Sequence, residues 1–336
     1  MRFWPMLACA CALGADAYQW DLPQGFPAPR VPAANPMSEA KVRLGRYLFY
    51  DKRLSVNGTQ SCATCHRQEL AFTDGRATAI GSTGQAHSRS AMSLVNVAYL
   101  AVLTWSDPQL RSLERQALVP MLSENPVELG LLGREATVLR DLRADPVYRA
   151  AFPKAFPEAA DPFTIPNVAK ALATFERTIL SARSPYDRYY FGRDPTAISD
   201  SAKRGEGLFF SDVVAGCFRC HGGFNFSDAT QYQGSANQPV EFHNTAVHSA
   251  GIAKFRTPSV RNAALTGPYM HDGSMATLDE VLDHYAAGGR GHGNPDKDKR
   301  MTGIALTAQN RKDLLEFLRS LTDQEVIRDP RFSNPW

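Results

Sequence analysis

Four cysteines of this chain fall into two copies of one pattern, Cys62-Ala63-Thr64-Cys65-His66 and Cys217-Phe218-Arg219-Cys220-His221. Two thiols one helical turn apart can both reach the vinyl groups of a single porphyrin, and the histidine that follows can bind its iron. A redox Cys-x-x-Cys followed by a chance histidine, or half of a zinc site, would explain one copy. Two copies that use every cysteine beyond residue 17 point to two covalently bound haem c groups, with His66 and His221 as proximal ligands. His87, His243, His248, His271, His284 and His292 remain, and most of these read as surface or hydrogen-bonding residues.

The other two cysteines, Cys9 and Cys11, lie in a leader. Arg2 gives a positive start, Phe3 to Ala15 is a short apolar stretch, and Ala15-Asp16-Ala17 is a small-x-small cleavage site before Tyr18. Residues 1–17 therefore read as an export signal cleaved near Ala17; the residues before Cys9 and Cys11 fit a lipoprotein signal poorly. The stretch is too short to span a bilayer, and no later segment is apolar enough. The 336 residues, 43% hydrophobic and 21% charged, suffice for two globular domains. A net charge of +3 with no basic run argues against nucleic acid as a partner.

The elements that must position the two strings read as helices joined by long loops. Residues 18–45 are proline-rich and read as an extended arm, and 70–95 as loop. Asp107-Pro108 reads as a helix start, with Asp as cap and Pro in the first turn. Val168, Leu172, Phe175 and Ile179 place a helix over 166–180. Ser184-Pro185 ends it and marks a domain boundary. A helix near 200–210 precedes the second string, and a polar loop covers 222–250. Thr277-Leu278-Asp279-Glu280 opens a further helix that Gly288-Gly289 stops. Leu314, Leu315, Phe317, Leu318 and Leu321 mark the last one. The reading is mainly α, in two haem-bearing halves: 18–183 and 184–336, with a C-terminal tail free to pack back on the first. A haem gives the long loops a large apolar body to pack on.

The sequence resembles the bacterial di-haem cytochrome c peroxidase and MauG family over nearly all of its mature length. The resemblance rests on both strings and on Ser93-Leu94-Val95-Asn96, Trp105, Gln116, Pro120 and Asn125-Pro126-Val127-Glu128-Leu129-Gly130. It continues through Phe255-Arg256-Thr257-Pro258-Ser259-Val260-Arg261-Asn262 and Thr266-Gly267-Pro268-Tyr269-Met270-His271-Asp272-Gly273. Within the family the segments Trp105 to Pro120 and Tyr269 to Arg290 are similar to the methanobactin-associated, MbnH-type enzymes. The resemblance implies two cytochrome c-like domains whose haems face a shared interface. It implies that the haem on His66 meets hydrogen peroxide beside Glu128 and Gln116. It also implies that Tyr285 is the sixth ligand of the haem on His221, with Trp105 between the haems. Asn96 and the carbonyls of Thr266 and Pro268 match the family's inter-haem calcium site.

Read without the resemblance, Glu128 is a solvated loop carboxylate, Asn96 a turn residue, and Trp105 and Tyr285 core aromatics. Leu278, Val281, Leu282 and Tyr285 do share one helical face pointing inward. Met270, Met275 and His284 compete with Tyr285 as ligand; the resemblance implies that His87 can close the first haem, as a loop histidine does in some family members, while its Gly/Ser-rich loop fits a free surface residue equally well. Three functions follow. The first is a periplasmic, peroxide-dependent oxidase. It forms a bis-Fe(IV)-like state and modifies a partner protein, by resemblance a tryptophan of an MbnP-like copper-binding protein, to kynurenine. The second is a peroxidase fed electrons by a small cytochrome or cupredoxin. The third is a non-catalytic electron carrier or haem sensor, against which Gln116 and Glu128 stand.

Overall fold

The computed structural model describes residues 18–336 apart from 252 and 292. The leader at 1–17 and His292 lie outside the described residues. Helices supply nearly all the regular structure among them. In chain order these are α1 (Glu39–Phe49), α2 (Cys62–Cys65), α3 (Leu113–Leu122), α4 (Glu135–Ala144) and α5 (Pro146–Ala155). There follow α6 (Ile165–Glu176), α7 (Pro185–Tyr190), α8 (Asp200–Phe209), α9 (Leu278–Ala286) and α10 (Ala308–Ser320). Two antiparallel strands, β1 (Phe242–His243) and β2 (Phe255–Arg256), pair Phe242 with Arg256.

Two apolar cores organise the helices. The first is built on α1 and α3 to α6, around Leu44, Leu48, Phe49, Leu142, Phe152, Leu172 and Phe175. The second is built on α7 to α10, around Tyr186, Phe209, Leu282, Leu314 and Phe317. Each core has one tight helix crossing, and both are made by glycine. A Cβ at Gly45 of α1 would stand 2.0 Å from the Ala171 carbonyl of α6, and one at Gly205 of α8 would stand 2.0 Å from the Asp313 carbonyl of α10. Only a residue without Cβ lets the backbones approach this closely. The chain end belongs to the first core: Val326 and Phe332 pack into it, and the Tyr50 hydroxyl donates to the Phe332 carbonyl at 2.7 Å.

The segment joining the cores is clamped from both sides. The Asn96 side chain accepts from the Ser181 amide at 2.8 Å and donates to the Ser181 carbonyl at 2.9 Å. Asn262 donates to the Ser181 hydroxyl at 2.9 Å and accepts from the Asp323 amide at 2.8 Å. Both asparagines adopt left-handed backbone conformations, φ 58° and φ 59°. Asparagine tolerates that region better than other residues bearing a side chain.

Several local expectations need correction. Helix α1 begins at Glu39 on the Ser38 cap, so the extended arm is shorter than 18–45. Asp107-Pro108 forms a turn in which the Asp107 carboxylate accepts from the Gln109 amide at 2.8 Å. The helix starts later, at Leu113, because the Ser112 hydroxyl caps it. Helix α6 ends at Glu176, and Ser184-Pro185 opens α7 instead of closing α6. Ser184 as cap and Pro185 in the first turn are start signals, which is why the pair opens a helix here.

Candidate di-haem site

The two strings form near-identical turns. The His66 amide donates to the Cys62 carbonyl at 2.9 Å and the His221 amide to the Cys217 carbonyl at 2.8 Å. Each turn places both cysteines and the histidine on one side. The four thiols are free of disulfides. Burial pushes Cys65 and Cys220 up to about 11 and Cys217 to about 12, so they are apolar thiols and not reactive thiolates.

The histidines are set for metal binding. His66 Nδ1 lies 3.0 Å from the Phe72 carbonyl, and His221 Nδ1 lies 3.0 Å from the Pro258 carbonyl. A carbonyl can only accept, so in each ring Nδ1 carries the proton and Nε2 keeps its lone pair. This is the arrangement of a ligating imidazole held by an outer hydrogen bond. Burial lowers both residues' affinity for a second proton.

Beside His66 is a narrow cavity of about 50 Å³ whose wall includes Cys62, Cys65, Gln116, Glu128, His87 and Glu176. Glu128 is thus brought to the first string, and burial with no compensating cation raises its pKa. His87 is on the same wall, its Nε2 3.8 Å from a Glu128 oxygen. His87 Nδ1 accepts from the Arg89 amide at 3.1 Å, which puts the proton of the neutral ring on Nε2, toward Glu128. Burial, then Arg89, lowers the His87 pKa, so the ring is neutral near pH 7.

The loop carrying His87 is fastened to the segment carrying Glu128. The Ser82 amide donates to the Glu128 carbonyl at 2.7 Å, and the Val127 amide to Gln85 Oε1 at 3.0 Å. A Cβ at Gly81 would meet the Val127 carbonyl at 1.8 Å.

Glu176 is a wall residue that sequence reading missed. One carboxyl oxygen is buried with no hydrogen-bond partner among the described residues. Burial pushes its pKa up to about 8. Its signal was visible: Glu176 follows Leu172 by four positions, so a carboxyl stands on the apolar face of α6.

Beside His221 is a larger cavity of about 430 Å³, walled by Cys217, Cys220, Trp105, Thr266, Pro268 and Tyr285 among others. The inward face of α9 is as expected: Leu278, Val281, Leu282 and Tyr285 all line it. The Thr277 hydroxyl accepts from the Glu280 amide, and α9 stops before Gly288 and Gly289, whose φ values are 69° and 106°. The Tyr285 hydroxyl has no hydrogen-bond partner among the described residues. Burial, then the nearby Cys217 and Cys220, push its pKa well up. Of its competitors, Met270 shares the wall, whereas Met275 is packed in the interior. His284 is fully buried, and its Nδ1 accepts from the Arg290 amide. Trp105 lines this cavity, its Nε1 donating to the Ser90 carbonyl at 3.0 Å.

The residues fit two c-type haems: free thiol pairs, Nε2 lone pairs directed by backbone carbonyls, and an unpartnered phenol on a cavity wall. Of the calcium set, Thr266 and Pro268 line the larger cavity, while Asn96 is fully buried with its amide on Ser181.

The chain belongs to the di-haem cytochrome c peroxidase and MauG family and is a peroxide-dependent di-haem oxidoreductase. The family model for di-haem cytochrome c peroxidase matches residues 39–195. The methylamine utilization protein MauG of Methylorubrum extorquens is 35% identical over 95% of this chain and 93% of its own length. The cytochrome c551 peroxidase of Nitrosomonas europaea is 30% identical over 89% of this chain and 85% of its own length. A crystal structure of a MauG-like protein associated with microbial copper homeostasis superposes with a TM-score of 0.91 at 42% identity. It covers 95% of this chain and 100% of that one.

Proposed function

We propose that the chain is an exported, periplasmic di-haem oxidase that uses peroxide to oxidise a partner protein, converting a tryptophan of an MbnP-like copper-binding protein to kynurenine. The observation that carries this reading is the unpartnered Tyr285 hydroxyl on the cavity of the second string. A phenolate is a hard, anionic ligand that favours ferric and higher iron, whereas a thioether favours ferrous iron. A second haem held by Tyr285 would be poor at relaying electrons and good at holding an oxidising equivalent. The solved relative associated with copper homeostasis supports the choice of partner.

Haem iron on His66, when bound, supplies cleavage of the peroxide O–O bond. Glu128 takes the proton from the inner peroxide oxygen and returns it to the outer one, which leaves as water. Gln116 orients the peroxide through its amide. His87 directs its Nε2 proton toward Glu128, so a haem held by His66 would meet peroxide and not this imidazole. Trp105, fixed through Ser90, carries charge between the two centres. Asn96 Oδ1, through its second lone pair, would hold calcium together with the Thr266 and Pro268 carbonyls and water.

The test mixes all-ferric protein with peroxide, without reductant, and adds the copper-binding partner. Reaction of the ferric protein followed by the mass change of tryptophan to kynurenine in the partner is expected. Met270 on the same wall favours a second reading, a peroxidase fed by a small cytochrome or cupredoxin. No reaction until one haem is reduced would establish that reading and remove the first.

A further inference from the structure

A further cluster of metal-binding side chains, His248, His271 and Asp272, reaches from the surface to the wall of the larger cavity, where His271 stands. His248 Nε2 stands 3.2 Å from Asp272 Oδ2. A ring nitrogen of His271 lies within 4.8 Å of both donor atoms. His271 is 6% exposed, and its ring stacks on Phe255 with centroids 3.8 Å apart and planes 15° from parallel. Neither of its nitrogens has a hydrogen-bond partner among the described residues. An imidazole nitrogen without a protein partner keeps its lone pair free for a metal. His248 is 61% exposed, which opens a path from solvent.

We propose that His248, His271 and Asp272 bind a divalent transition ion of the copper(II) or zinc class, with water completing the coordination. Tetrahedral bonds of about 2.0–2.1 Å put neighbouring donor atoms about 3.3 Å apart, the spacing His248 and Asp272 already have. Two imidazoles and one carboxylate suit zinc and copper over magnesium or calcium, and copper(II) binds such donors most tightly. The Arg89 guanidinium stands 5.1 Å over the Phe255 ring, so Asp272 supplies the negative charge that a second cation needs here. The site also adjoins the redox path: Phe255 meets Trp105 edge-on, with ring centroids 6.5 Å apart.

The test uses untagged holoprotein, treated with chelator and titrated separately with Cu2+ and Zn2+ by calorimetry. Metal retained after gel filtration is counted by mass spectrometry. One bound equivalent is expected. His248→Ala and Asp272→Asn should each weaken binding about tenfold or more and remove nitrogen coupling or shift the copper EPR spectrum, with haem content unchanged. Equal binding in His248→Ala and wild type, or none in wild type, overturns the proposal. Should Asp272→Asn disturb haem loading, His248→Ala alters only an exposed side chain and decides the matter. Peroxide chemistry is not read out, so this result stands apart from the function proposed above.

Discussion

Glu128 and Glu176 place two carboxyls on the wall of one narrow cavity, and burial raises both. The consequences differ. Glu128 has a candidate chemical role, so Glu128→Gln should slow the peroxide reaction by about 10²-fold or more in stopped flow while both haems stay attached. Only the ionised form is a base. The wild-type rate should therefore fall as pH drops through a value above that of an ordinary glutamate, and an inflection at or below the ordinary value would remove Glu128 as the base. Glu176 should act on stability. Below pH 4.5 it is protonated in both folded and unfolded chains. Between 4.5 and about 8 the unfolded chain ionises and the folded chain does not, so the folded state loses up to about 1.4 kcal/mol per pH unit. Glu176→Gln should remove that loss, raising stability at pH 8 by about 1–3 kcal/mol relative to its effect at pH 4.5. A gain equal at both pH values in denaturant titrations would contradict this.

At the scale of elements, the glycine crossings show what sequence reading caught and what it passed over. The haem strings, the α9 start at Thr277 and its stop at Gly288 were legible because cap and turn chemistry is local. The inward face of α9 was legible because helical period fixes it. Gly45-Arg46-Tyr47-Leu48-Phe49-Tyr50 and Gly205-Glu206-Gly207-Leu208-Phe209-Phe210 are a short internal repeat, yet nothing local says that each glycine meets another backbone. Glu176 and the fastening of the His87 loop to Glu128 were likewise set by distant chain. Two predictions belong here. Gly205→Ala should destabilise by about 1–3 kcal/mol through overpacking against Asp313. Gly207→Ala, two residues on in α8 with open space around it, should stabilise by up to about 1 kcal/mol. Equal melting shifts for the pair would remove the crossing argument. Gly81→Ala should push the His87 loop from Val127 and slow peroxide reaction without loss of either haem, read by stopped flow and intact mass.

At the scale of the molecule, the two cores are not independent. Gln68 donates to the carbonyls of Val326 and Asp329, and Arg46 to that of Ser333. Phe332 lies 6.4 Å from Phe72, whose carbonyl holds His66. Removing residues 325–336 should therefore loosen the first haem and spare the second. Thermal unfolding followed separately at the two haem bands would show it; identical loss at both bands would mean that the tail supports the whole fold.

That tail also has a meaning in time. The ribosome delivers Cys62 and Cys65 long before Val326 and Phe332. Until then the first pair of thiols stands beside an unfinished core, open to haem while the second half is still being made. The first core is complete only when residues 326–332 arrive, so the order of synthesis gives the first haem its interval of access.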